Sequence, residues 1–321
     1  DWSSDVCSSD LVRRLYSVPA GVLKESNEIT LKISDYRGGG GLYGPANEIY
    51  LKVGDKTIPL SGKWKYKVSA SNSDFDFVEY GPNAYPSLLY NAMVNPLVGL
   101  SMQGVIWYQG ENNTNRAKEY YHLFPAMIND WRKKWGKDFP FYWVQLANYM
   151  DVVEVPSESL WAQVREAQTQ TLSLSHTGQA VIIDIGEAKD IHPKNKQEVG
   201  RRLALHALHN DYGFSDVVCE SPMPKTVRRV QDKIVVQFDN VADGLIVKNK
   251  YGYLMSFAVA GNDGVYKWVQ AKVAGKDRVV LSCPDVIDPV SVRYAWGDNP
   301  DDANLYNSVG LPATPFEIKI E

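Results

Sequence analysis

The sequence predicts an α/β fold: a parallel sheet covered by helices on both faces, with β-sandwich-like segments before and after it. Three near-continuous apolar runs of strand length lie in the middle of the chain, at 104–108, 140–147 and 179–185. A helical pattern follows each run, and strands that alternate with helices are typical of a parallel sheet buried on both faces. Short strand-like segments at 12–70 and after residue 220 indicate the flanking β-structure.

Composition narrows the class of protein. The chain has 321 residues, 44% apolar and 22% charged, with a net charge of −4. Its length suits roughly two domains, and Lys and Arg are not concentrated anywhere, so nucleic acid is not expected as a partner. The sequence lacks a run of about 18 apolar residues, so we expect no membrane span. Cys7, Cys219 and Cys283 have the spacing of neither a zinc site nor a disulfide framework, and two buried free thiols are favoured over a pair between Cys219 and Cys283.

The segment before the central sheet is predicted to form strands. Polar and apolar residues alternate at 28–33, 48–53 and 64–68, the pattern of a half-buried strand. Gly38–Gly41 is expected to be a flexible turn, and the polar segment 71–84 a linker. Residues 1–11 repeat Ser-Ser-Asp without any structural period or signal-peptide pattern, so we interpret them as a non-native leader joined to a truncated gene.

Helices are predicted at 87–94, after the first central strand, at 159–174 and at 194–210. The second of these has apolar residues at helical spacings of three and four, namely Tyr120, Phe124, Met127, Ile128, Trp131 and Trp135. Pro125 is expected to kink that helix or to start a second segment. Pro193 lies near the first position of the last helix.

Short strands separated by turns fill the chain after about residue 220. Their spacing favours a small β-sandwich. The predicted strands are 233–238, 244–247, 257–260, 265–269, 279–282, 292–296 and 316–320.

Polar residues follow the first central strand within one turn. Gln109, Gly110, Glu111 and Asn113 come directly after 104–108, and α/β proteins place their ligand and catalytic groups at the carboxyl ends of parallel strands. The Gln109 amide could donate to an oxyanion, Gly110 permits close backbone approach, and Glu111 could orient a histidine or bind a sugar hydroxyl. The alternative is a polar loop that caps the next helix.

A second polar patch, Asp190-Ile191-His192-Pro193, follows the third strand. If Asp190 meets the imidazole Nδ1–H, it fixes the tautomer and leaves Nε2 of His192 free to accept a proton from a nucleophile. The alternative is a helix cap at Asp190 and a solvated loop histidine, and the spacing alone does not decide between the two. His206 and His209, three residues apart without an accompanying carboxylate pattern, are predicted to lie on the surface of the following helix.

Several long motifs resemble the sialate O-acetylesterase family, within the SGNH-like carbohydrate esterases. The motifs are Leu-Tyr-Asn-Ala-Met at 89–93, Gly-Val-Ile-Trp-Tyr-Gln-Gly-Glu-Asn-Asn at 104–113, Asp-Ile-His-Pro-Lys-Asn-Lys-Gln-Glu-Val-Gly-Arg-Arg at 190–202, Val-Arg-Tyr-Ala-Trp at 292–296 and Asn-Leu-Tyr-Asn-Ser at 304–308. They occur in the family's order, and the resemblance covers essentially residues 12–321.

The resemblance implies a flavodoxin-like three-layer α/β domain, incomplete here. It divides the chain into a leader at 1–11, the end of an inserted β-domain at 12–70, a partial SGNH-like esterase domain at 71–220 and a carboxyl-terminal β-domain at 221–321. It implies a periplasmic or extracellular enzyme that hydrolyses O-acetyl esters of sialic acid or a related acetylated sugar with a serine nucleophile. No cofactor or metal is expected, because acyl transfer of this kind needs neither.

The resemblance also assigns roles. His192 matches the family's base and Gln109 its oxyanion position, with Gly110, Glu111 and Asn113 as oxyanion or substrate-binding residues. Asp190 lies two residues before His192 rather than the three common among SGNH enzymes, so Glu111 competes with it for the orienting role.

The family's nucleophile motif, a Gly-Gln-Ser-Asn-Met-like stretch, is missing from the sequence. Ser101 precedes its strand and Ser87 lies at a helix start, so neither fits the carboxyl edge of the sheet. We therefore expect this fragment to be inactive or nearly so. Two alternatives remain, an acetylxylan esterase and a non-catalytic carbohydrate-binding protein.

Overall fold

A computed structural model describes residues 15–19, 21–33, 45–68 and 85–321. The chain divides into two compact units, Asp1–Tyr85 and Pro86–Glu321. The leader at 1–11, the turn at 38–41 and the linker at 71–84 lie outside the described residues. No helix in the described ranges is long and apolar enough to cross a bilayer.

The first unit contains an antiparallel hairpin of β1 (Tyr50–Val53) and β2 (Lys56–Pro59), which confirms the strand predicted at 48–53. Gly54 closes the turn with a φ of +56°, a conformation that glycine adopts without strain. The strands predicted at 28–33 and 64–68 are wrong, because both segments are exposed and irregular. Alternation supplies an apolar face, but a strand also needs a partner for its backbone, and Leu31 remains 42% exposed.

The second unit begins its α/β part with three parallel strands in the order β3 (Val105–Trp107), β4 (Phe141–Val144) and β5 (Thr177–Ala180). Their register pairs Trp107 with Trp143 and Val144 with Ala180. The helices are α1 (Ala117–Trp135), α2 (Leu160–Gln170) and α3 (Lys196–Asn210). The predicted α/β fold with a parallel sheet is thereby confirmed.

Alternate residues of β4 face opposite sides of the sheet. Phe141 and Trp143 belong to a core cluster with residues of α1 and α2, whereas Tyr142 and Val144 belong to a cluster with residues of α3. Both faces of this central strand are therefore covered by helices, as its continuous apolar sequence predicts. Full burial of an apolar side chain contributes roughly 1.5–3 kcal/mol, so β4 is a major source of stability for the sheet.

Helix α1 runs without interruption through Pro125, so the expectation of a second segment at that residue is wrong, whereas the alternative, a kink, stays a prediction. Proline costs the helix one backbone hydrogen bond, but the aromatic stripe on either side is deeply packed. Phe124 lies between Trp107 and Trp143, with ring centroids 6.5 and 5.2 Å away. Gly136 ends the helix with a φ of +63° and donates its N–H to the last turn.

The segment predicted as a helix at 87–94 is helical, but mostly as a π-turn. It continues from Tyr90–Val94 into a short 3-10 turn at Asn95–Leu97. Much of its apolar surface is exposed, including Leu97 at 52%.

The carboxyl-terminal part is a β-sandwich, as predicted. One sheet contains β6 (Met223–Val230), β7 (Lys233–Asp239), β11 (Gln270–Ala274) and β12 (Arg278–Ser282), in the order β11-β12-β7-β6. The other contains β9 (Phe257–Ala260), β10 (Tyr266–Trp268), β13 (Ser291–Tyr294) and β15 (Phe316–Lys319), in the order β10-β9-β13-β15. A short pair joins β8 (Leu245–Val247) to β14 (Leu305–Asn307). Strands β6, β11 and β14 were not predicted.

Arg165 joins the α/β part to the sandwich. Its fully buried guanidinium donates to the carbonyl oxygens of Leu146 and Ala147, which follow β4, and to those of Gly297 and Asp298 in the sandwich, at 2.6–2.9 Å. Burial lowers the pKa of Arg165 to about 9, while nearby Asp298 opposes that shift. The segment after β4 is therefore held from both sides.

Candidate active site

The carboxyl ends of β3, β4 and β5 lie at one edge of the sheet because the three strands are parallel. Gln109 follows β3 and the Asp190–His192 segment follows β5. Both predicted patches therefore lie in segments that leave the sheet at that edge. The segment after β4 lies between them in strand order. This is the edge at which α/β proteins bind ligands.

The Gln109 side chain is held in one orientation. Its Nε2 donates to Oδ1 of Asn113 at 2.7 Å, and its Oε1 accepts from the hydroxyl of Tyr120 at 3.1 Å. Its backbone carbonyl accepts from Nε2 of Gln168 at 3.2 Å. An amide nitrogen carries two N–H groups, so the contact with Asn113 uses only one of them.

Gly110 and Glu111 shape the same loop. Gly110 is buried with a φ of +151°, and a Cβ there would lie 3.1 Å from Nε2 of Gln168, so a side chain would be strained as well as crowded. Glu111 opens the 3-10 turn Glu111–Arg116 that leads into α1. Burial, and then the Glu111 carboxylate, raise the pKa of Tyr108 above its usual value.

Asp190 and His192 are exposed and face each other loosely. Their side chains are 39% and 72% exposed, and Nδ1 of His192 lies 3.6 Å from Oδ1 of Asp190. The same Oδ1 accepts from the backbone N–H of His192 at 2.9 Å. Of the two competing carboxylates, Asp190 is thus the one placed against Nδ1, although at a distance longer than a hydrogen bond.

The cap of α3 is Asn195, whose Oδ1 accepts from the N–H of Glu198 at 3.2 Å. The alternative in which Asp190 caps this helix is therefore wrong. Pro193 lies before the cap and not in the first turn, where the sequence placed it.

Contacts near the two loops bring them to the same region. The ammonium of Lys196, in the first turn of α3, lies 4.8 Å from the centre of the Tyr108 ring. Ile191 packs against the core cluster that also contacts Trp107. Tyr108 thus contacts the first turn of α3, and Trp107 and Ile191 pack against the same core cluster.

His206 is buried, so its predicted place on the helix surface is wrong. It lies on the face of α3 that carries Val199 and Leu203, and it stacks on Tyr142 with ring centroids 5.5 Å apart. Burial lowers its pKa to about 4, while its hydrogen bond to the carbonyl of Gln179 opposes the shift. His209 is half-buried, with Nδ1 2.8 Å from the carbonyl oxygen of Val217. Among the described residues, no group of three or more His, Cys, Asp or Glu is placed to hold a metal.

The serines near the sheet are placed away from the proposed chemistry or are already bonded. Ser101 precedes β3, at the opposite edge of the sheet, and Ser87 is exposed with a φ of +67°. Ser159 follows β4, but its Oγ donates to Asp298 at 2.6 Å and accepts from the N–H of Ala162 as the cap of α2. The two described cysteines, Cys219 and Cys283, are free and buried, which confirms the preference for thiols.

Sequence reasoning missed the polar residues that support these loops. Arg202 donates to both carboxylate oxygens of Asp184, at 2.6 and 2.9 Å, which fixes the chain beyond β5 to α3. Asn148 accepts from the N–H of Gly186 at 2.7 Å and donates to Asn299 at 2.9 Å. The available signal was polar residues on the buried face of an amphipathic helix, as at Arg165, Gln168 and Arg202.

Comparisons with known proteins indicate a carbohydrate esterase. The family model described as "Carbohydrate esterase, sialic acid-specific acetylesterase" matches residues 73–209. Sialate O-acetylesterases of Homo sapiens and Rattus norvegicus are each 31% identical to this chain, over 264 and 278 residues, which is 74% and 76% of the chain. The chain spans about half the length of these curated relatives, 49% and 50%.

A solved structure gives the same assignment. A carbohydrate acetylesterase from Xanthomonas citri is 45% identical, with a TM-score of 0.69 over 74% of this chain and 55% of that one. The family match at residues 73–209 includes the loops after β3 and β5. Residues 73–209 thus match the family of sialic acid-specific carbohydrate acetylesterases, and 74% of the chain is similar to sialate O-acetylesterases.

Proposed function

We propose that this chain is the part of a carbohydrate O-acetylesterase that carries the base and the oxyanion donor. The observation that supports this most is the placement of Gln109 and of the Asp190–His192 pair after β3 and β5, the two outer strands of one three-stranded parallel sheet. The curated relatives are sialate O-acetylesterases, and we propose an O-acetylated sialic acid as the substrate.

In the proposed reaction, a serine hydroxyl attacks the acetyl carbonyl while Nε2 of His192 accepts its proton. The free N–H of the Gln109 amide donates to the oxyanion of the tetrahedral intermediate. Collapse breaks the ester bond, and His192 returns the proton to the leaving sugar oxygen. Water then attacks the acetyl-enzyme with the same base and releases acetate. Asp190 would orient the imidazole once its 3.6 Å separation from Nδ1 tightens in the substrate complex.

We propose that the nucleophilic serine belongs to a part of the full-length protein outside these residues. The positions of Ser101, Ser87 and Ser159 support this, as does the chain's coverage of half of its relatives. We also propose that the sheet continues beyond β3 as a flavodoxin-like three-layer sheet. Strand β3 is the edge of the three-stranded sheet, and Ile106 on it is 71% exposed.

Acetate release from an O-acetylated sialic acid tests the proposal. The 321-residue chain alone should be inactive or nearly so, whereas the full-length protein should be active. Loss of a triad member costs a factor on the order of 10⁴ in serine hydrolases, so His192→Ala in the full-length protein should lower kcat to that extent. Gln109→Ala should cost roughly 10²–10³. An ordinary turnover rate by the isolated chain would contradict the missing serine.

A matched control uses another exposed histidine. His122→Ala, on the exposed side of α1, should leave kcat and KM of the full-length protein unchanged. Equal losses in the His122 and His192 variants would contradict the assigned base. Comparing Asp190→Ala with Glu111→Ala decides which carboxylate orients His192, because only the orienting residue should lower kcat when the substrate is saturating.

Substrate class has one competing candidate. The Xanthomonas citri neighbour is described only as a carbohydrate acetylesterase, so an acetylxylan esterase is the second proposal. The ratio of kcat/KM on acetylated sialic acid to that on acetylated xylan separates the two. A full-length protein that binds a glycan but releases no acetate from either would be the non-catalytic carbohydrate-binding protein.

We further propose that the full-length protein acts in the periplasm or outside the cell, as the resemblance to the family implies. An O-acetylated glycan outside the cytoplasm is the expected substrate there. Cell fractionation with an antibody to this chain tests the location. Recovery of the full-length protein only with the cytosol would contradict it.

A further inference from the structure

A cleft of about 280 Å³ lies between the segment after β4 and the sandwich. We call it the Trp268 cleft. Val152, Glu154, Trp268, Trp296 and Asp302 are among its lining residues. Its volume is just below the roughly 300–1,000 Å³ of typical ligand pockets, which suits one ring better than a long chain.

The walls combine an exposed aromatic ring with oxygen acceptors. Trp268, on edge strand β10, is 43% exposed, and its Nε1 already donates to the carbonyl of Glu154 at 2.9 Å. That bond fixes the indole, so its exposed surface is a rigid apolar platform. The apolar C–H face of a pyranose stacks on such a ring, while its hydroxyls need polar partners at the rim. Glu154 and Asp302 line the cleft and carry carboxylate oxygens, of which Oδ1 of Asp302 already accepts from the hydroxyl of Ser256.

Trp296 also lines the cleft and carries a buried indole N–H. It is 6% exposed, and its Nε1–H has no acceptor among the described residues. A buried polar group without a partner is uncommon in folded proteins. A hydroxyl oxygen of a ligand that repacks this wall would provide an acceptor.

The charge of the cleft selects among sugars. Its lining residues include two acidic side chains and no Lys, Arg or His. An anionic sugar such as sialic acid would be repelled, because like charges disfavour one another at close range. A neutral hexose or pentose unit meets no such penalty.

One chain segment, the one after β4, both lines the cleft and contacts the loop that carries the candidate residues. Met150 donates its N–H to the carbonyl of Ala188 at 3.0 Å, just before the Asp190–His192 segment, and Val152 and Val153 then line the cleft. We propose that the Trp268 cleft binds a neutral sugar unit of a glycan whose acetylated unit occupies the active site. The second half of this statement rests on the proposed function, whereas binding in the cleft does not.

Binding to the isolated 321-residue chain tests the cleft without any catalysis. Titration with maltohexaose, cellohexaose and xylohexaose, followed by tryptophan fluorescence and calorimetry, should show saturable binding of at least one of them. Trp268→Ala should weaken that binding at least tenfold, whereas Trp268→Phe, which keeps a ring, should retain most of it. N-acetylneuraminic acid should not compete.

A matched control is Trp64→Ala. Trp64 is 40% exposed and its Nε1 also donates to a carbonyl, that of Leu60 at 2.9 Å, but it does not line the cleft. Its substitution should leave glycan affinity unchanged. Absence of binding by all three oligosaccharides, equal losses in the Trp64 and Trp268 variants, or competition by N-acetylneuraminic acid would each overturn the proposal.

A kinetic experiment tests the link to catalysis. In the active full-length protein, Trp268→Ala should raise KM for an acetylated oligosaccharide several-fold and leave kcat, and all constants for an acetylated monosaccharide, unchanged. An equal change on both substrates would overturn the shared-glycan proposal. If the full-length protein proves inactive, the esterase proposal fails, while the binding result on the isolated chain still decides the cleft.

Discussion

The loop after β3 keeps its polar groups partly buried and bonded, whereas the loop after β5 holds Asp190 and His192 in solvent. Gln109 has contacts from Asn113, Tyr120 and Gln168, which belong to three different segments. His192 is 72% exposed, and its nearest acidic oxygen is 3.6 Å from Nδ1. An oxyanion donor must be oriented before charge develops. The described residues already hold Gln109 in one orientation, as its proposed role requires.

The difference locates what the candidate site still needs. A histidine that shuttles protons must be oriented by its carboxylate and desolvated by substrate or protein. The described residues provide an anchored backbone for it, through Gly186, Asn148 and Asn299. Orientation of the imidazole is therefore expected to depend on substrate or on further parts of the protein.

The backbone anchor of the β5 loop should give the largest effect on stability. A Cβ at Gly186 would overlap the backbone carbonyl oxygen of Asn148, and a backbone atom cannot rotate away as a flexible side chain can. Overpacking typically costs about 1–3 kcal/mol, and this close overlap with backbone should lie at the upper end, so Gly186→Ala should lower the free energy of urea unfolding by about 3 kcal/mol. Gly200→Ala is the control, because a Cβ there meets nothing within 4 Å and favours helix α3 by about 0.5–1 kcal/mol. A similar loss in both variants would contradict the anchor.

The buried support of the β3 loop should give the next largest effect. Gln168 donates to the Gln109 carbonyl, and its Oε1 accepts from the N–H of Leu146 at 3.0 Å. Gln168→Leu leaves both groups unpaired, at about 1–3 kcal/mol for a buried group. We expect the free energy of urea unfolding to fall by about 2–3 kcal/mol and amide exchange at Asn113 to become faster. Gln170→Leu, exposed at the end of the same helix, should change stability by less than about 0.5 kcal/mol.

The buried histidine of α3, His206, should make the free energy of unfolding depend on pH. Burial lowers the pKa of His206 to about 4, so between pH 4 and 6.5 the unfolded chain binds a proton that the folded chain does not. The contribution of neutral, buried His206 to the free energy of unfolding is complete above pH 6.5 and is lost as pH falls toward 4. Linkage predicts a loss of about 2 kcal/mol between pH 7 and 5.

The variant His206→Phe should flatten this pH dependence while lowering the absolute stability. Glu198, whose pKa is lowered to about 2 first by its bonds to Arg201, acts below pH 4.5 and does not interfere. An unchanged slope in His206→Phe would show that another group causes it.

The sheet could be predicted from sequence because continuous apolar runs at 140–147 leave few alternatives to a strand buried on both faces. Alternation failed at 28–33 because an exposed irregular segment can show the same period. Strand β6 was missed because Val227 is its one fully buried residue, so neither an apolar run nor a regular alternation marks it.

The candidate site was predictable to the extent that it follows the sheet. Gln109 and His192 could be placed at one edge because parallel strands end together. The supports could not, because Arg165 and Gln168 bond mostly to backbone carbonyls many residues away, which leave no trace in side-chain identity. His206 was placed wrongly because spacing to His209 says nothing of which helical face the sheet covers.

The smallest effects test the two loops directly, one polar side chain from each. Asn113→Ala removes the partly buried acceptor of Gln109 and should lower the free energy of unfolding by about 1 kcal/mol. Asp190→Ala removes a bond to an exposed backbone N–H and should change it by less than about 0.5 kcal/mol. Urea unfolding of both variants measures the pair. Equal losses would mean that Asp190 supports the fold as much as Asn113 does, and the contrast between a buried, bonded loop and a solvated one would not hold.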